Sequence, residues 1–450
     1  MRRTKRIVLI TIIFMIILLP FTKVLAADIN TNDYNPDNII TKSKAALLVD
    51  AKTGKILYSK NAYTPLYPAS TTKIMTAILT MENCNLNDVA TVSHNAVYSI
   101  PVGYTHANLV EGEQLTIEQL LNVLLIPSAN DAAVVLAEHI AGSVENFATM
   151  MNNKAKQLGC LNTNFVNPNG IHNENHYSTA YDLSLIGRYA MKFDEIMRIA
   201  KIPQYTLPRT NKYNKEDRIF NATNGLIDSN DSDYYEYATG LKTGYTDKAG
   251  SCIVATAKKD NVELMAVILG SESVDDRHED CVNLFNYGFN NYSYKNIVTA
   301  GKVIDTVNIN DATKETSTLN IITKDTINIL IKNSVDLNRI EKNINLKDNL
   351  TAPIAKNSVL GTITYTIDGE NYSTELIAES SVIESNFEVI IFRALLILLI
   401  LILFITIIGK LNKPRKQKRS YQSSNYGKKK SSSKSKHGGR YKYTQIHDYL

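Results

Sequence analysis

Val389 to Ile408 is a run of twenty residues interrupted only by Arg393 and Thr406. A helix that is apolar on every side belongs either in a large core or in lipid. At ~1.5 Å rise per residue, a helix of that length spans a hydrocarbon core of ~30 Å. Arg393 falls near one end, where its long side chain can reach the headgroups. The run therefore predicts a transmembrane helix over 389–408. The next segment, 411–450, is rich in Lys, Ser, Tyr and Gly and reads as a basic, disordered tail. Its positive charge places it in the cytoplasm. At the other end Arg2, Arg3, Lys5 and Arg6 precede the apolar stretch Ile7–Leu19, then Pro20 and Val24-Leu25-Ala26. That is the layout of a cleavable secretory signal over 1–26. The two ends agree: residues 27 to about 388 lie outside the membrane.

Charge sharpens this division. Five Lys/Arg and no acid lie in 1–26, and thirteen with one acid, Asp448, in 410–450. The remaining stretch, 27–409, holds 31 basic and 43 acidic residues, a net of −12. An acidic body lacks the basic footprint that nucleic acid needs, so no nucleic-acid partner is expected. The four cysteines, Cys84, Cys160, Cys252 and Cys281, are spaced too irregularly for a metal site and lie in or beside apolar stretches. They read as buried free thiols, and no metal or cofactor is expected.

Residues 27–43 are polar and read as a linker. Ala45–Val49 and Ile56–Tyr58 flank Asp50-Ala51-Lys52-Thr53-Gly54, a β-hairpin signal. Helical periodicity follows. Ile74, Ala77, Ile78 and Met81 share one face, as do Ile117, Leu120, Leu121, Leu124 and Leu125 behind a Thr116/Gln119 capping box. Further helices are expected from Asp131 to Ile140, from Val144 to Leu158, and after Thr179 with Asp182. Strand-like runs then appear at Tyr237–Thr243, Cys252–Lys258 and Val262–Leu269, followed by a helical stretch, Asp275–Tyr287. A hairpin first, helices in the middle and strands last predict an α+β domain over 44–290, its antiparallel sheet joining both ends of the segment. Residues 293–378 are strand-rich and predict a small all-β domain.

Three short motifs carry the chemistry. Ser70-Thr71-Thr72-Lys73 stands at the start of the first helix. A serine hydroxyl is a weak nucleophile until a base takes its proton, and Lys73 lies one turn away on the same face. Lys73 can act as base only if burial or a second cation depresses its pKa. Ser128-Ala129-Asn130 follows Pro127 between two helices; its hydroxyl can relay a proton and its amide can contact a carbonyl or an ammonium. Lys242-Thr243-Gly244 ends a predicted strand, supplying the second cation, a carboxylate-binding hydroxyl and a bare backbone edge for an added strand. Each motif alone is weak. Ser-x-x-Lys recurs at Ser431–Lys434 and Ser433–Lys436, Ser-x-Asn at Ser93–Asn95 and Lys-Thr-Gly at Lys52–Gly54; the tail copies lie in a disordered segment and the first Lys-Thr-Gly in a hairpin turn before any nucleophile. The set Ser70, Lys73, Ser128, Asn130 and Lys242 occurs in the right order, on the right elements, within the exported domain.

This set, with Tyr67–Ala77, Phe165–Gly170, His176–Ala180 and Gly240–Gly250, resembles the low-molecular-mass penicillin-binding proteins of the serine D-alanyl-D-alanine carboxypeptidase type, over about 40–290. The resemblance implies a penicillin-binding/β-lactamase-like transpeptidase fold. It also implies removal of the terminal D-alanine of peptidoglycan stem peptides through an acyl-enzyme on Ser70, and inhibition by β-lactams. In it the backbone N–H groups of Ser70 and Tyr245 form the oxyanion hole. Lys242, Thr243, Gly244 and Arg277 bind substrate. Ala129 departs from the family's common glycine, and the uniformly apolar 389–408 departs from its usual amphipathic anchor.

Three rivals share parts of this pattern. A class A β-lactamase needs a Glu-x-x-Leu-Asn segment, which 165–170 lacks. A D,D-endopeptidase uses the same three motifs and stays open. A membrane β-lactam receptor needs a folded output domain, for which 411–450 has too little apolar content. His172 and His176 sit among Pro168, Asn169, Gly170 and Asn173, in a loop rather than on a helix face.

Overall fold

The computed structural model describes residues 33–39 and 41–411. The signal expected over 1–26, and the tail expected over 411–450 apart from Leu411, lie outside the described residues. The chain divides into two compact units. One comprises the residues up to Val307 with 320–348 and 356–380, and the other 308–319, 349–355 and the stretch from Ser381 onward.

The first unit is built on a five-stranded antiparallel sheet. Its strands are β1 (Ala45–Asp50), β2 (Ile56–Lys60), β3 (Ala238–Thr246), β4 (Gly250–Lys259) and β5 (Val262–Ser271), in the order β2-β1-β5-β4-β3. The N-terminal hairpin thus completes a sheet whose other strands arrive two hundred residues later, with Leu47 opposite Val267. Strands β1, β4 and β5 are apolar on both faces because both faces are covered. On one side lies the helical region: α1 (Lys73–Asn83), α2 (Ile117–Leu125), α3 (Asn130–Ala141), α4 (Val144–Gln157) and α5 (Ala180–Ala190). On the other lies α6 (Val274–Asn291), whose Cys281, Leu284 and Phe285 join Leu48, Ile253 and Ile268 in a second core.

Local signals set the helix ends. The Thr116 hydroxyl accepts from Gln119 N while the Gln119 side chain accepts from Thr116 N, a complete capping box. Thr179 caps α5 with its hydroxyl alone, which accepts from Asp182 N. Gly142 closes α3 in the left-handed conformation at φ 75°.

The first unit also carries most of the β-rich C-terminal region, apart from Asn308 and 318–319. Here β6 (Tyr292–Val298) pairs with β9 (Ile327–Lys332). Five further strands, β7 (Val303–Asn308), β8 (Thr318–Thr323), β10 (Glu341–Leu346), β11 (Val359–Ile367) and β12 (Glu370–Ala378), form a sheet ordered β7-β8-β12-β11-β10. The strand pattern does not disclose β6 or β10: β6 is largely polar and mostly half-buried, β10 is polar and largely exposed, and neither shows an alternating apolar face. The second unit runs into α7 (Ser385–Leu411), of which Val389–Leu411 is long and apolar enough to cross a membrane.

Two expectations need correction. Within the expected linker, 33–39 and 41–43 are fastened to the domain: Tyr34 exchanges backbone hydrogen bonds with Ser59, and the backbone N–H groups of Lys42 and Ser43 donate to the Asp280 carboxylate. Cys84 is only half-buried, whereas Cys160, Cys252 and Cys281 are buried; all four are free thiols.

Candidate active site

Ser70 lies not in the α-helix but in a 3-10 turn, Ala69–Thr72, that leads into α1. Side chains at i and i+3 eclipse in such a turn, so Ser70 and Lys73 stack closely: Lys73 Nζ lies within hydrogen-bond distance of Ser70 Oγ, at 2.8 Å. Ala69, just before the nucleophile, is held at φ 47°, and Ser128 at φ 69°, a backbone region that alanine and serine seldom occupy. Strained residues of this kind persist only where the surroundings hold them.

Lys73 is fully buried and makes two further bonds, to Asn130 Oδ1 at 2.8 Å and to the Asn169 backbone oxygen at 2.7 Å. The two carbonyl oxygens can only accept. A neutral lysine amine has two N–H groups and one lone pair, so once the carbonyls take both N–H groups the lone pair faces the Ser70 hydroxyl proton. Asn130 is oriented for this by its own amide, since Nδ2 donates to the Thr105 backbone oxygen at 2.8 Å.

The third motif arrives on β3, the sheet edge. Gly244 is required there, but for a reason the sequence did not reveal. A Cβ on Gly244 would lie 2.7 Å from Ser70 N, so the missing side chain lets the strand approach the nucleophile's turn. Gly170 serves the loop opposite: at φ 82°, a Cβ would lie 1.9 Å from the Ala69 oxygen. Ser70, Ser128, Asn130, Thr243, Gly244, Tyr245 and Arg277 then line one cleft of about 450 Å³, with Lys73 and Lys242 buried. Arg277 is only 3% exposed; its Nη2 meets His278 Nε2 at 2.9 Å, and its Nε has no partner among the described residues.

Residues 31–273 match the family model described as D-alanyl-D-alanine carboxypeptidase, and residues 292–384 match the C-terminal domain of penicillin-binding protein 5. The chain belongs to the D-alanyl-D-alanine carboxypeptidase family. The carboxypeptidase DacF of Bacillus subtilis is 35% identical over 347 residues, 76% of this chain and 84% of DacF. The crystal structure of penicillin-binding protein 5 from Haemophilus influenzae superposes with a TM-score of 0.63 at 29% identity, covering 78% of this chain and all of that one. The Streptomyces K15 DD-transpeptidase does so with a TM-score of 0.53 at 33% identity, over 56% and 98%. The protein is thus a serine-type carboxypeptidase with the penicillin-binding fold that the motifs implied.

The electrostatics suit a carboxypeptidase of this family. Burial, and then the nearby Lys242 charge, hold the Lys73 amine well below the ordinary lysine range. Burial and then Arg277 push Lys242 down to about 7. Ala129, the departure from the family's glycine, sits at φ −60°, open to any residue, with its methyl in the core.

Several contributors escaped the sequence reading. The Asn169 and Thr105 oxygens are backbone atoms, which no residue type announces. Thr223 meets the Thr243 hydroxyl at 2.5 Å. His176 is a buried support: Nδ1 accepts from Val166 N at 3.1 Å, which leaves the proton on Nε2 for Thr72 Oγ1 at 2.9 Å. Burial first, then His172 and Lys73, push its pKa down to about 3, so it stays neutral. The ring ties the loop bearing Asn169 to the turn bearing Ser70 and Lys73.

Proposed function

We propose that this carboxypeptidase removes the terminal D-alanine from peptidoglycan stem pentapeptides through an acyl-enzyme on Ser70. The observation that carries the reading is the Lys73 amine, whose third hydrogen bond is to the Ser70 hydroxyl while its other two go to carbonyl oxygens. Neutral Lys73 takes the Ser70 proton as Oγ attacks the carbonyl between the two D-alanines. The N–H groups of Ser70 and Tyr245 hold the developing oxyanion. The terminal carboxylate is held by Thr243, with the positive charges of Lys242 and Arg277 behind it. Gly244 leaves the strand edge bare for the peptide. The Ser128 hydroxyl passes the proton to the leaving amine while Asn130 holds Lys73 in place, and water then releases the shortened peptide and restores Ser70. β-Lactams present the same carboxylate and a strained amide, so they acylate Ser70 and leave slowly. The N-terminal signal and the basic tail support an orientation with the catalytic domain outside the membrane, Val389–Leu411 as its span, and the tail in the cytoplasm.

The test is to incubate the full-length protein with a fluorescent penicillin, and separately with a pentapeptide ending in D-Ala-D-Ala, each beside Ser70→Ala. Covalent label and free D-alanine, both lost in the variant, are expected. Label without D-alanine would favour the endopeptidase or receptor readings, and absence of label would remove Ser70 as nucleophile.

A further inference from the structure

A second cleft, larger than the catalytic one, lies apart from it. It has a volume of about 560 Å³ and lies where the β1–β2 turn, the end of α5 and the start of β3 meet. Thr239 lines this cleft, whereas Gly244 of the same strand abuts Ser70. Five residues at ~3.3 Å each put about 16 Å of strand between the two places. Five cations line it: Lys52, Arg188, Lys192, Lys201 and Lys258. Against them stand only Asp194 and Glu263. Among the described residues, none of the five cations is ion-paired with a carboxylate. This local excess of positive charge occurs on a body that carries −12 over residues 27–409.

The cations are of a particular kind. Arg188 already uses Nε and Nη2 on the Ala51 and Lys52 backbone oxygens, both at 2.9 Å, so its fork holds the turn and does not offer a bidentate grip. Lys201 and Lys258 are exposed ammonium groups on flexible stems, Lys192 is exposed with its ammonium over the Tyr189 ring, and the exposed Lys52 reaches the Asn261 oxygen at 3.1 Å and lies over the Tyr294 ring. A planar carboxylate is best held by a free guanidinium fork, whereas several separated point charges suit a series of phosphates. We infer that this cleft binds the phosphate groups of an anionic, phosphate-linked polymer of the extracytoplasmic wall, apart from the catalytic cleft. The acidic remainder of the body repels such a polymer and the cleft attracts it, which gives one docking place instead of general adhesion. The enzyme would then be held on its polymeric surroundings while its substrate cleft stays open.

The experiment is an amine footprint of the full-length, detergent-solubilised protein, read lysine by lysine by mass spectrometry. The probes are a poly(glycerol phosphate) and, as a carboxylate control, a polyglutamate of similar length. The expected result is joint protection of Lys52, Lys192, Lys201 and Lys258, about fivefold beyond the exposed controls Lys44 and Lys302 at low salt and lost when salt shortens the screening length. Lys192→Glu with Lys201→Glu should weaken protection of Lys52 and Lys258 and leave turnover of a soluble pentapeptide unchanged. Protection no greater than at the controls overturns the site, as does protection of Lys52 and Lys258 that survives the double variant. Equal protection by polyglutamate overturns the phosphate assignment. Pentapeptide turnover by the unaltered protein reads the carboxypeptidase activity separately, so the two readings fail independently.

Discussion

Around Glu113 and Arg218 buried opposite charges meet, whereas around Ser70 three buried cations, Lys73, Lys242 and Arg277, crowd one cleft without an ion-pair partner among the described residues. The Glu113 carboxylate accepts from the Arg218 guanidinium, the Thr210 hydroxyl at 2.7 Å and the Val110 N–H at 2.9 Å. Arg218 also donates to the Ala107 and Asn108 oxygens. Asp131 accepts from the N–H groups of Ala107 and Leu109. This cluster fastens residues 105–113, and Thr105 is the residue that orients Asn130. The first cluster is therefore structural and supports the second, which is arranged against its own stability so that one amine is neutral beside a serine. Burial of a charge, and then the nearby like charge of Lys242, is unfavourable, and that penalty lowers the Lys73 pKa.

The largest expected effect tests that claim. Lys73→Met should lower the acylation rate about 10⁴-fold, the upper range for a general base, while thermal unfolding shows a midpoint unchanged or raised. A midpoint lowered by several degrees would mean that Lys73 is structural after all and erase the contrast.

Glu113→Ala should behave in the opposite way. It strands Arg218 in the interior, and breaking a buried pair costs about 3–5 kcal/mol, read by urea denaturation. Turnover of the protein that remains folded should fall far less than in Lys73→Met. Full stability in Glu113→Ala would show that the pairing there is incidental.

The pH profile sharpens the comparison on the catalytic side. As pH rises, kcat/KM should first increase about tenfold per unit while Lys73 loses its proton. It should then fall as Lys242, near 7 in the free enzyme, loses the charge that the substrate carboxylate needs. In kcat the falling limb should move to higher pH, because a bound carboxylate favours charged Lys242. Lys242→Arg keeps its charge and should abolish the falling limb; its persistence would assign that limb elsewhere. Stability has its own sign. The unfolded chain holds its Lys242 proton up to the ordinary lysine value of ~10.4, so between about 7 and that value the folded form gains stability as pH rises.

The smallest effect concerns the support of the loop. His176→Ala should lower kcat about tenfold, a loss of about 1.4 kcal/mol, with little change in KM, and His176→Gln should recover part of it. Because His176 is neutral above about 3, neither variant should shift the limbs of the pH profile; a shift would mean that His176 itself titrates in the reaction.

Much of this was legible in the residues because it is local. Caps such as Thr116 with Gln119, the apolar stripe of α1 and the apolar β1, β4 and β5 each declare their state within a dozen residues. Ser70, Lys73, Ser128, Asn130 and Lys242 were legible because their chemistry needs side chains of those types in that order. The polar strands β6 and β10 were not legible, since pairing with distant strands, and not an alternating face, makes them strands. Tertiary structure alone decided what those side chains become. It brought β3 within reach of Ser70 through Gly244, supplied the Asn169 and Thr105 oxygens, and set Lys242 and Arg277 in the same buried cleft as Lys73. A pKa, like a proton's direction of transfer, depends on which groups are near in space and on how much water is excluded. The chain by itself determined which groups were available, and only its folding determined which of them meet.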